Sequence, residues 1–318
     1  MTGSVATGSV LVTGATGFIG RHLCVRLARA GWDVTALQRS ESDVDGVRTR
    51  IVVPQMSADA VSRALEGRRF DRLFHLAAYG VHPDDRDVST MMQVNVCLAQ
   101  RLVAEAATWP VRAVVMAGSG AEYDLRGVDG PVSEDHPLEA FKLYGATKAA
   151  GTLASAATAR SLGAPLAVAR LFGVFGSGEA PHRLLPSLVR DLSAGRRVPL
   201  SDGAQVRDVL SVSAVVDALM RLADTLEADQ GQHIVNLSSG HPATVRAFAE
   251  MTADAIGARR ALLGFGDIPR RPDEVACFAG DPARLLALTD WRPYEHLSTA
   301  IEEAVAAMQS PSSRTGTP

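Results

Sequence analysis

"SVLVTGATGFIGRHLCVRLARAGWDVTALQRS", residues 9–40, reads as strand, glycine turn, helix and strand. Val10 to Thr13 is a short apolar run ending in a β-branched residue, His22 to Ala30 has helical character, and Gly31 stops that helix. Val34 to Leu37 begins the second strand. Between the first strand and the helix, Gly14, Gly17 and Gly20 recur at every third position. Glycines at such a turn allow a tight bend and the close approach of a pyrophosphate to the helix N-terminus, whose free N–H groups bind anions. Further along come "RIVV" (50–53), a helix from about Ser57 to Leu65, and the apolar run "DRLFHLAA" (71–78). A helix over 90–108 follows, then the strand "VRAVVMAGSG" (111–120), a helix over 144–162 and the strand "PLAVARLFGVFG" (165–176). Strands without polar alternation, separated by helices, predict a parallel sheet covered on both faces. The expected fold class is α/β, a doubly wound Rossmann sheet with a smaller C-terminal lobe.

That lobe is announced by a change of texture near residue 177, where the chain becomes richer in proline, glycine and arginine. The expected division is a dinucleotide-binding domain over 1–176, taking back about 208–238, a lobe over 177–308 and a disordered tail over 309–318. Helices are expected within 241–258 and 281–308. The net charge of −3 and the lack of a basic stripe argue against a nucleic-acid partner. The three cysteines, Cys24, Cys97 and Cys277, have no metal-site spacing, so neither a disulfide framework nor a metal site is expected. No signal peptide or membrane-length apolar run is read, which makes a cytoplasmic location without membrane association the expectation.

Cofactor choice should be legible at the end of the second strand. An acid there grips the adenosine ribose of NAD, whereas an arginine accommodates the extra phosphate of NADP. The chain has Gln38, Arg39 and Ser40, with no acid before Glu41, so NADP(H) is the expected cofactor, held at its phosphate by Arg39 and Ser40. In "LYGATKAAG" (143–151), Tyr144 and Lys148 share one helix face. An ammonium and a nicotinamide cation near a phenol favour the phenolate and should lower its pKa, fitting Tyr144 for proton transfer. Ser119, at the carboxyl end of the fifth strand, could donate to a carbonyl oxygen beside it.

Together these pieces resemble the extended short-chain dehydrogenase/reductase family in its sugar-nucleotide branch, over about residues 9–308. The resemblance rests on "TGATGFIG", "FHLAA" (74–78), Asn95, "AGSGAEYD" (117–124), "YGATK", "RLFGVFGSGE" (170–179), "QVRDVLSV" (205–212) and "RRPDEV" (270–275). It implies Ser119, Tyr144 and Lys148 as the catalytic set. It implies a cofactor site of Gly14, Thr16, Gly17, Phe18, Ile19, Gly20, Leu76, Ala77, Ala78, Asn95 and Leu171, together with Tyr144 and Lys148. It also implies substrate contacts from Tyr79, His82, Ser119, Gly120, Ala121, Tyr144 and Leu184. Arg207 and Arg271 would bind the diphosphate of an NDP-sugar and Glu274 its ribose, with dTDP as the expected nucleotide and CDP or GDP as alternatives.

Two departures from the family pattern bear on the reaction. Dehydratases of the family carry Asp-Glu directly after the catalytic Ser/Thr, where this chain has Gly120 and Ala121 and places Glu122 one position late. The asparagine usual in the "RLFNVYG"-like segment is Gly173 here. Enzymes of this fold that epimerise recycle a bound NAD, whereas a reductase draws hydride from a pool. The sequence reading is therefore an NADPH-dependent 4-ketoreductase of an NDP-4-keto-6-deoxyhexose, with an NDP-sugar 4-epimerase as the alternative. Alanine-rich helices near 91–107 and 145–161 lead to the expectation of a homodimer.

Overall fold

The computed structural model describes residues 7–310 except 83, 294 and 295. Six strands come first: β1 (Gly8–Thr13), β2 (Trp32–Gln38), β3 (Thr49–Val52), β4 (Arg72–His75), β5 (Ala113–Ser119) and β6 (Leu166–Leu171). Four short strands follow, β7 (Gly173–Phe175), β8 (Val198–Leu200), β9 (Val206–Arg207) and β10 (Val209–Ser211), before β11 (Gln232–Leu237) rejoins the main sheet. Its order is β11-β6-β5-β4-β1-β2-β3, and every neighbouring pair is parallel. The strand order reverses between β1 and β4, and the crevice at that switch point is where such sheets bind ligands.

The unbroken apolar strands are explained by two cores. Val10 and Val12 of β1 enter one core with Leu23 and Leu27 of α1 (Phe18–Arg29), while Leu11, between them, enters the core on the opposite face. That second core also takes Leu65 of α2 (Ala58–Leu65) and Leu98 and Leu102 from the helix beside it. This neighbouring helix is continuous but not uniform. It runs as α3 (Val88–Met92), a π-helical stretch (Gln93–Leu98) and α4 (Ala99–Ala106), where the sequence suggests one regular helix over 90–108. Helix α5 (Leu143–Leu162) packs across it so closely that a Cβ on Gly151 would overlap the Asn95 carbonyl oxygen.

The lobe has its own core. Leu185 and Leu188 of α6 (Leu184–Ser193) meet Phe248 of α8 (Val245–Ile256) and Ile301 of α10 (Leu297–Gln309). Helix α7 (Val212–Asp229) packs into the first core, and β11 after it pairs with β6. Strands β12 (Ala243–Thr244), β13 (Leu263–Phe265) and β14 (Cys277–Phe278), with α9 (Ala283–Leu288), complete the chain. Two further local expectations are corrected. The run 165–176 is not one strand: it breaks at Phe172, and β7 leaves the main sheet to pair with β10. Of the tail, Gln309 still belongs to α10, while residues 311–318 lie outside the described residues. No helix among the described residues is long and apolar enough to cross a membrane.

The contact at Gly151 is between two backbones, which cannot yield as a side chain can. Gly151→Ala should therefore destabilise the protein by at least ~2 kcal/mol despite alanine's better helix propensity, the sign expected of overpacking. Urea denaturation of the two proteins measures the difference.

Candidate active site

The crevice contains a cavity of about 510 Å³ bounded by the turn after β1, the end of β2 and the segment after β4. Gly14 holds a left-handed φ of +71°, and a Cβ on it would lie 2.7 Å from the Ala77 backbone nitrogen. A Cβ on Gly20 would overlap the Gly14 carbonyl oxygen. These contacts bring α1 and the loop after β4 against the turn. No side chain caps α1 and no acid stands in its first turn, so its N–H groups are available to an anion. The turn, the uncapped helix and the cavity fit a dinucleotide, whose pyrophosphate Gly14 and Gly17 would hold.

Gly14, Thr16, Gly17, Leu76, Ala77, Ala78 and Tyr79 line this cavity, as does Arg39. Arg39 is exposed and its side chain makes no hydrogen bond or ion pair among the described residues. Ser40 is exposed outside the cavity lining, its hydroxyl 3.4 Å from that of Ser42. Gln38 proves to be the residue that shapes this loop: its buried amide donates to the carbonyls of Ser40 (2.8 Å) and Ser42 (3.0 Å). Phe18 and Ile19 begin α1 without lining the cavity, and Leu171 ends β6 beyond it. Asn95 is buried behind the wall. Its amide spans the Tyr79 backbone, accepting from N and donating to O at 2.9 Å each, and donates to Thr147 Oγ1 at 3.1 Å.

Ser119 ends β5 and starts a 3₁₀ turn over Gly120–Glu122. Its hydroxyl accepts from Ala121 N (3.1 Å), while its own N–H donates to Glu122 Oε1 (2.9 Å). Helix α5 presents Tyr144 and Lys148 one turn apart, with the Ser119 hydroxyl favouring the Tyr144 phenolate. Lys148 is buried and donates from Nζ to the Ala117 carbonyl (2.7 Å). Beneath it, burial first and the Lys148 charge second push His75 down to about 3, so the imidazole that meets Thr13 Oγ1 at 2.7 Å is neutral.

Ser119 stands at the end of β5 and Tyr144 and Lys148 in the first turns of α5, and the expected lowering of the Tyr144 pKa is not found: in the protein alone it is raised. Burial raises the Tyr144 pKa, with Glu122 adding to the rise, while the Ser119 hydroxyl and the charge of Arg183 oppose it. Burial likewise lowers the Lys148 pKa, opposed by Glu122. A phenol in this setting is protonated at neutral pH.

The departures at 120 and 173 have steric causes. A Cβ on Gly120 would lie 2.7 Å from the Phe172 ring, and one on Gly173 would lie 2.6 Å from Val209 Cγ1 and 2.7 Å from the Asp208 carbonyl. Neither position has room for the acid or amide of the family pattern. Ala121 is half-buried, and Glu122 is turned into the core, where its Oε2 accepts from Arg170 Nε at 2.8 Å. Sequence reading missed this pair, although the spacing S-x-x-E in "SGAE" is a capping-box signal.

On the lobe side, Arg207 of β9 and Glu274 form an ion pair at 2.7 Å, with Gln205 bonded to the second Glu274 oxygen at 3.0 Å. Arg271 is exposed on the same loop, and its side chain makes no bond among the described residues. That loop is tied to the catalytic helix by Lys142, whose Nζ donates to the Asp273 carbonyl at 2.9 Å. At the other rim, His82 meets His182 edge-to-face at 5.4 Å, and Leu184 opens α6 while packing into the lobe core. Arg183 pairs with Glu179 at 3.6 Å.

With this geometry in hand, comparison with known proteins is direct. The chain belongs to the NAD dependent epimerase/dehydratase family, whose profile matches residues 10–238. It is 25% identical over 328 residues to a probable UDP-glucuronate 4-epimerase of Rhizobium meliloti, covering 93% of this chain and 94% of that protein. It is 28% identical over 265 residues to a dTDP-6-deoxy-L-talose 4-dehydrogenase (NAD(P)(+)) of Kitasatospora kifunensis, covering 79% and 80%. The solved structure of MoeE5 in complex with UDP-glucuronic acid and NAD superposes with a TM-score of 0.79 at 29% identity, covering 94% of this chain and 98% of MoeE5.

Glu179 generates a pH test. Burial pushes its carboxyl up to about 7 from an ordinary 4.5, with Arg183 only partly opposing. Between those values the folded state binds the proton more tightly than the unfolded chain, so stability falls as pH rises from about 4.5 to about 7. Glu179→Gln should flatten that part of the profile and leave the variant the more stable above pH 7. Thermal midpoints measured across pH 4 to 8 for both proteins check it.

Proposed function

We propose that the protein is an NDP-sugar 4-epimerase acting on a uridine diphosphate sugar. The observation that carries this reading is what the site contains around Ser119, Tyr144 and Lys148, and what it has no room for. Gly120 is closed by Phe172, Ala121 has no proton to move, and the carboxylate of Glu122 is committed to Arg170. Such a set can take a proton from one hydroxyl and return it. It supplies no acid for eliminating water and no thiol or carboxylate for removing a carbon-bound proton.

When bound, NAD(P) supplies the hydride acceptor and donor for C4 and, oxidised, a positive charge beside the phenol. Tyr144 then takes the proton of the C4 hydroxyl while Ser119 donates to the C4 oxygen and keeps it polarised. Lys148 holds the cofactor ribose. After the keto sugar has turned over in the site, Tyr144 returns its proton to the C4 oxygen formed on the other face. Arg207, Arg271 and Glu274 hold the nucleotide end, so that the sugar can turn while the diphosphate stays in place. Both 4-epimerase and UDP-sugar names occur among the proteins this chain is similar to, which supports this choice over the reductase.

The reductase keeps one specific observation in its favour. Arg39 stands unpartnered on the cavity wall with Gln38 in place of an acid, which suits the phosphate of NADPH. The relative from Kitasatospora kifunensis bears a 4-dehydrogenase name with NAD(P)(+).

Purified protein incubated with UDP-glucose or UDP-glucuronate, without added NADPH, decides between them by NMR of the C4 epimers. Interconversion with a retained oxidised cofactor supports the epimerase. Stoichiometric consumption of NADPH with an NDP-4-keto-6-deoxyhexose instead supports the reductase; Arg39→Ala should then weaken NADPH by about tenfold, roughly 1.4 kcal/mol, with little change in NADH. In either case Tyr144→Phe should fold and lose on the order of 10² to 10⁴ in turnover. Near-normal turnover in that variant would refute the proton-transfer role.

The protein is also proposed to pair through α4 and α5. Leu153 and Leu162 of α5 are 54% and 53% exposed, and Met92, which ends α3 in the helix that continues into α4, is 43% exposed. Light scattering at micromolar concentration should give twice the chain mass, and Leu153→Arg should halve it.

A further inference from the structure

We propose that Lys142 is a positioning residue for the nucleotide end of the substrate: by holding the Asp273 carbonyl, its ammonium sets Arg271 at a fixed reach from Tyr144. This deepens the reading of Arg271 as a diphosphate-binding group and rests on it.

The segment between β13 and β14 is a loop, and within it Arg271-Pro272-Asp273-Glu274 makes one tight turn. The Glu274 N–H closes that turn by donating to the Arg271 carbonyl at 3.1 Å. Proline in second place presets the backbone angle that such a turn needs there. The turn is therefore a stiff unit, with Arg271 at its first corner and Glu274 at its last. Its Glu274 end is held by the lobe, because Arg207 Nη2 and Gln205 Nε2 each donate to one carboxylate oxygen, at 2.7 and 3.0 Å. Arg207 Nη1 adds a bond to the Val275 carbonyl at 3.1 Å. A grip at one end leaves a stiff turn free to swing about it, and Arg271 at the other end would swing furthest. Lys142 opposes that motion from the start of α5. Its Nζ donates to the Asp273 carbonyl at 2.9 Å, in the middle of the turn, with the Asp273 carboxylate 4.0 Å away.

The base from which Lys142 reaches is rigid. The Glu139 carboxylate accepts from the Phe141 and Lys142 N–H groups at 2.6 and 3.2 Å, and the Glu139 N–H donates to the Glu122 carbonyl at 2.7 Å. Within the first turn of the helix, a Cβ on Gly145 would overlap the Ala121 carbonyl oxygen. The start of α5 is thus locked to the 3₁₀ turn that follows Ser119, and Tyr144 stands two residues beyond Lys142. A path of bonds runs from that turn through Glu139 and Lys142 to the turn that carries Arg271. A half-exposed lysine bond of this kind contributes little to folding stability, so the fold itself does not call for it. In the proposed reaction the nucleotide end stays in place while the sugar turns, and a constant reach between Arg271 and Tyr144 is what Lys142 supplies.

The test is binding of UDP by titration calorimetry, which involves no turnover. Lys142→Met keeps the stem and removes the donor. It should bind UDP about fivefold more weakly, and Lys142→Arg should restore the affinity to within about twofold. Arg271→Ala should weaken UDP by about tenfold. The double variant Lys142→Met/Arg271→Ala shows how Lys142 acts. If it works through Arg271, the double variant binds within about twofold of Arg271→Ala, whereas independent sites would multiply their losses. Wild-type affinity in folded Lys142→Met overturns the proposal. Multiplied losses overturn it too, because Lys142 would then hold the nucleotide in its own right. Should Arg271→Ala bind UDP as the wild type does, the assignment of Arg271 to the diphosphate falls and takes the proposal with it. A failure of Lys142 alone leaves that assignment standing, and the reaction is judged separately by NMR of the C4 epimers.

Discussion

The carbonyl oxygen of Gly14 occupies the space that a Cβ on Gly20 would fill, and a Cβ on Gly14 would lie 2.7 Å from the Ala77 backbone nitrogen. The site depends on this contact. It seats the first turn of α1 against the end of β1 and draws in the loop after β4, so three elements meet at one point of the sheet's carboxyl edge. The uncapped helix N-terminus then opens into the crevice between β1 and β4, where an anion meets N–H groups and no competing side chain. Any larger residue at position 20 would separate the helix from the strand and widen the crevice it is meant to line.

The same edge places the chemistry. Strand β5 ends at Ser119 beside Leu171 of β6, and α5 carries Tyr144 and Lys148 in its first turns. Burial there is a mixed inheritance. It excludes water, which strengthens every charge interaction, yet it also penalises the charged form of both catalytic groups. Electrostatics in the site is thus a balance among Ser119, Arg183 and Glu122 acting on a phenol that burial alone would leave inert as a base.

Absences in the sequence acquire meaning only in this setting. Gly120 and Gly173 read in the sequence as missing family residues; in the fold they are positions filled from outside, by the Phe172 ring and by the β10 backbone and Val209. The break of the strand at Phe172 is part of the same arrangement. By leaving the main sheet, β7 frees that ring to close over Gly120, which narrows the reactions the site can support.

Period and punctuation in the sequence were enough to determine the parallel sheet, the glycine turn and the one-turn spacing of Tyr144 and Lys148. Each of these follows from local rules: runs buried on both faces, left-handed turns that admit glycine, and 3.6 residues per helical turn. The lobe boundary was read from the change of texture near residue 177 and the expected roles of Arg207 and the "RRPDEV" segment from resemblance, whereas the ion pair of Arg207 with Glu274 is seen only in the structure. What only the tertiary structure decided is which charge acts on which group. Lys148 is one turn from Tyr144 along the helix and donates its ammonium to the Ala117 carbonyl, while burial and the charges of Glu122 and Arg183, distant from Tyr144 in sequence, also bear on the phenol. Electrostatic influence falls with distance and depends on burial, and neither quantity is a property of sequence separation.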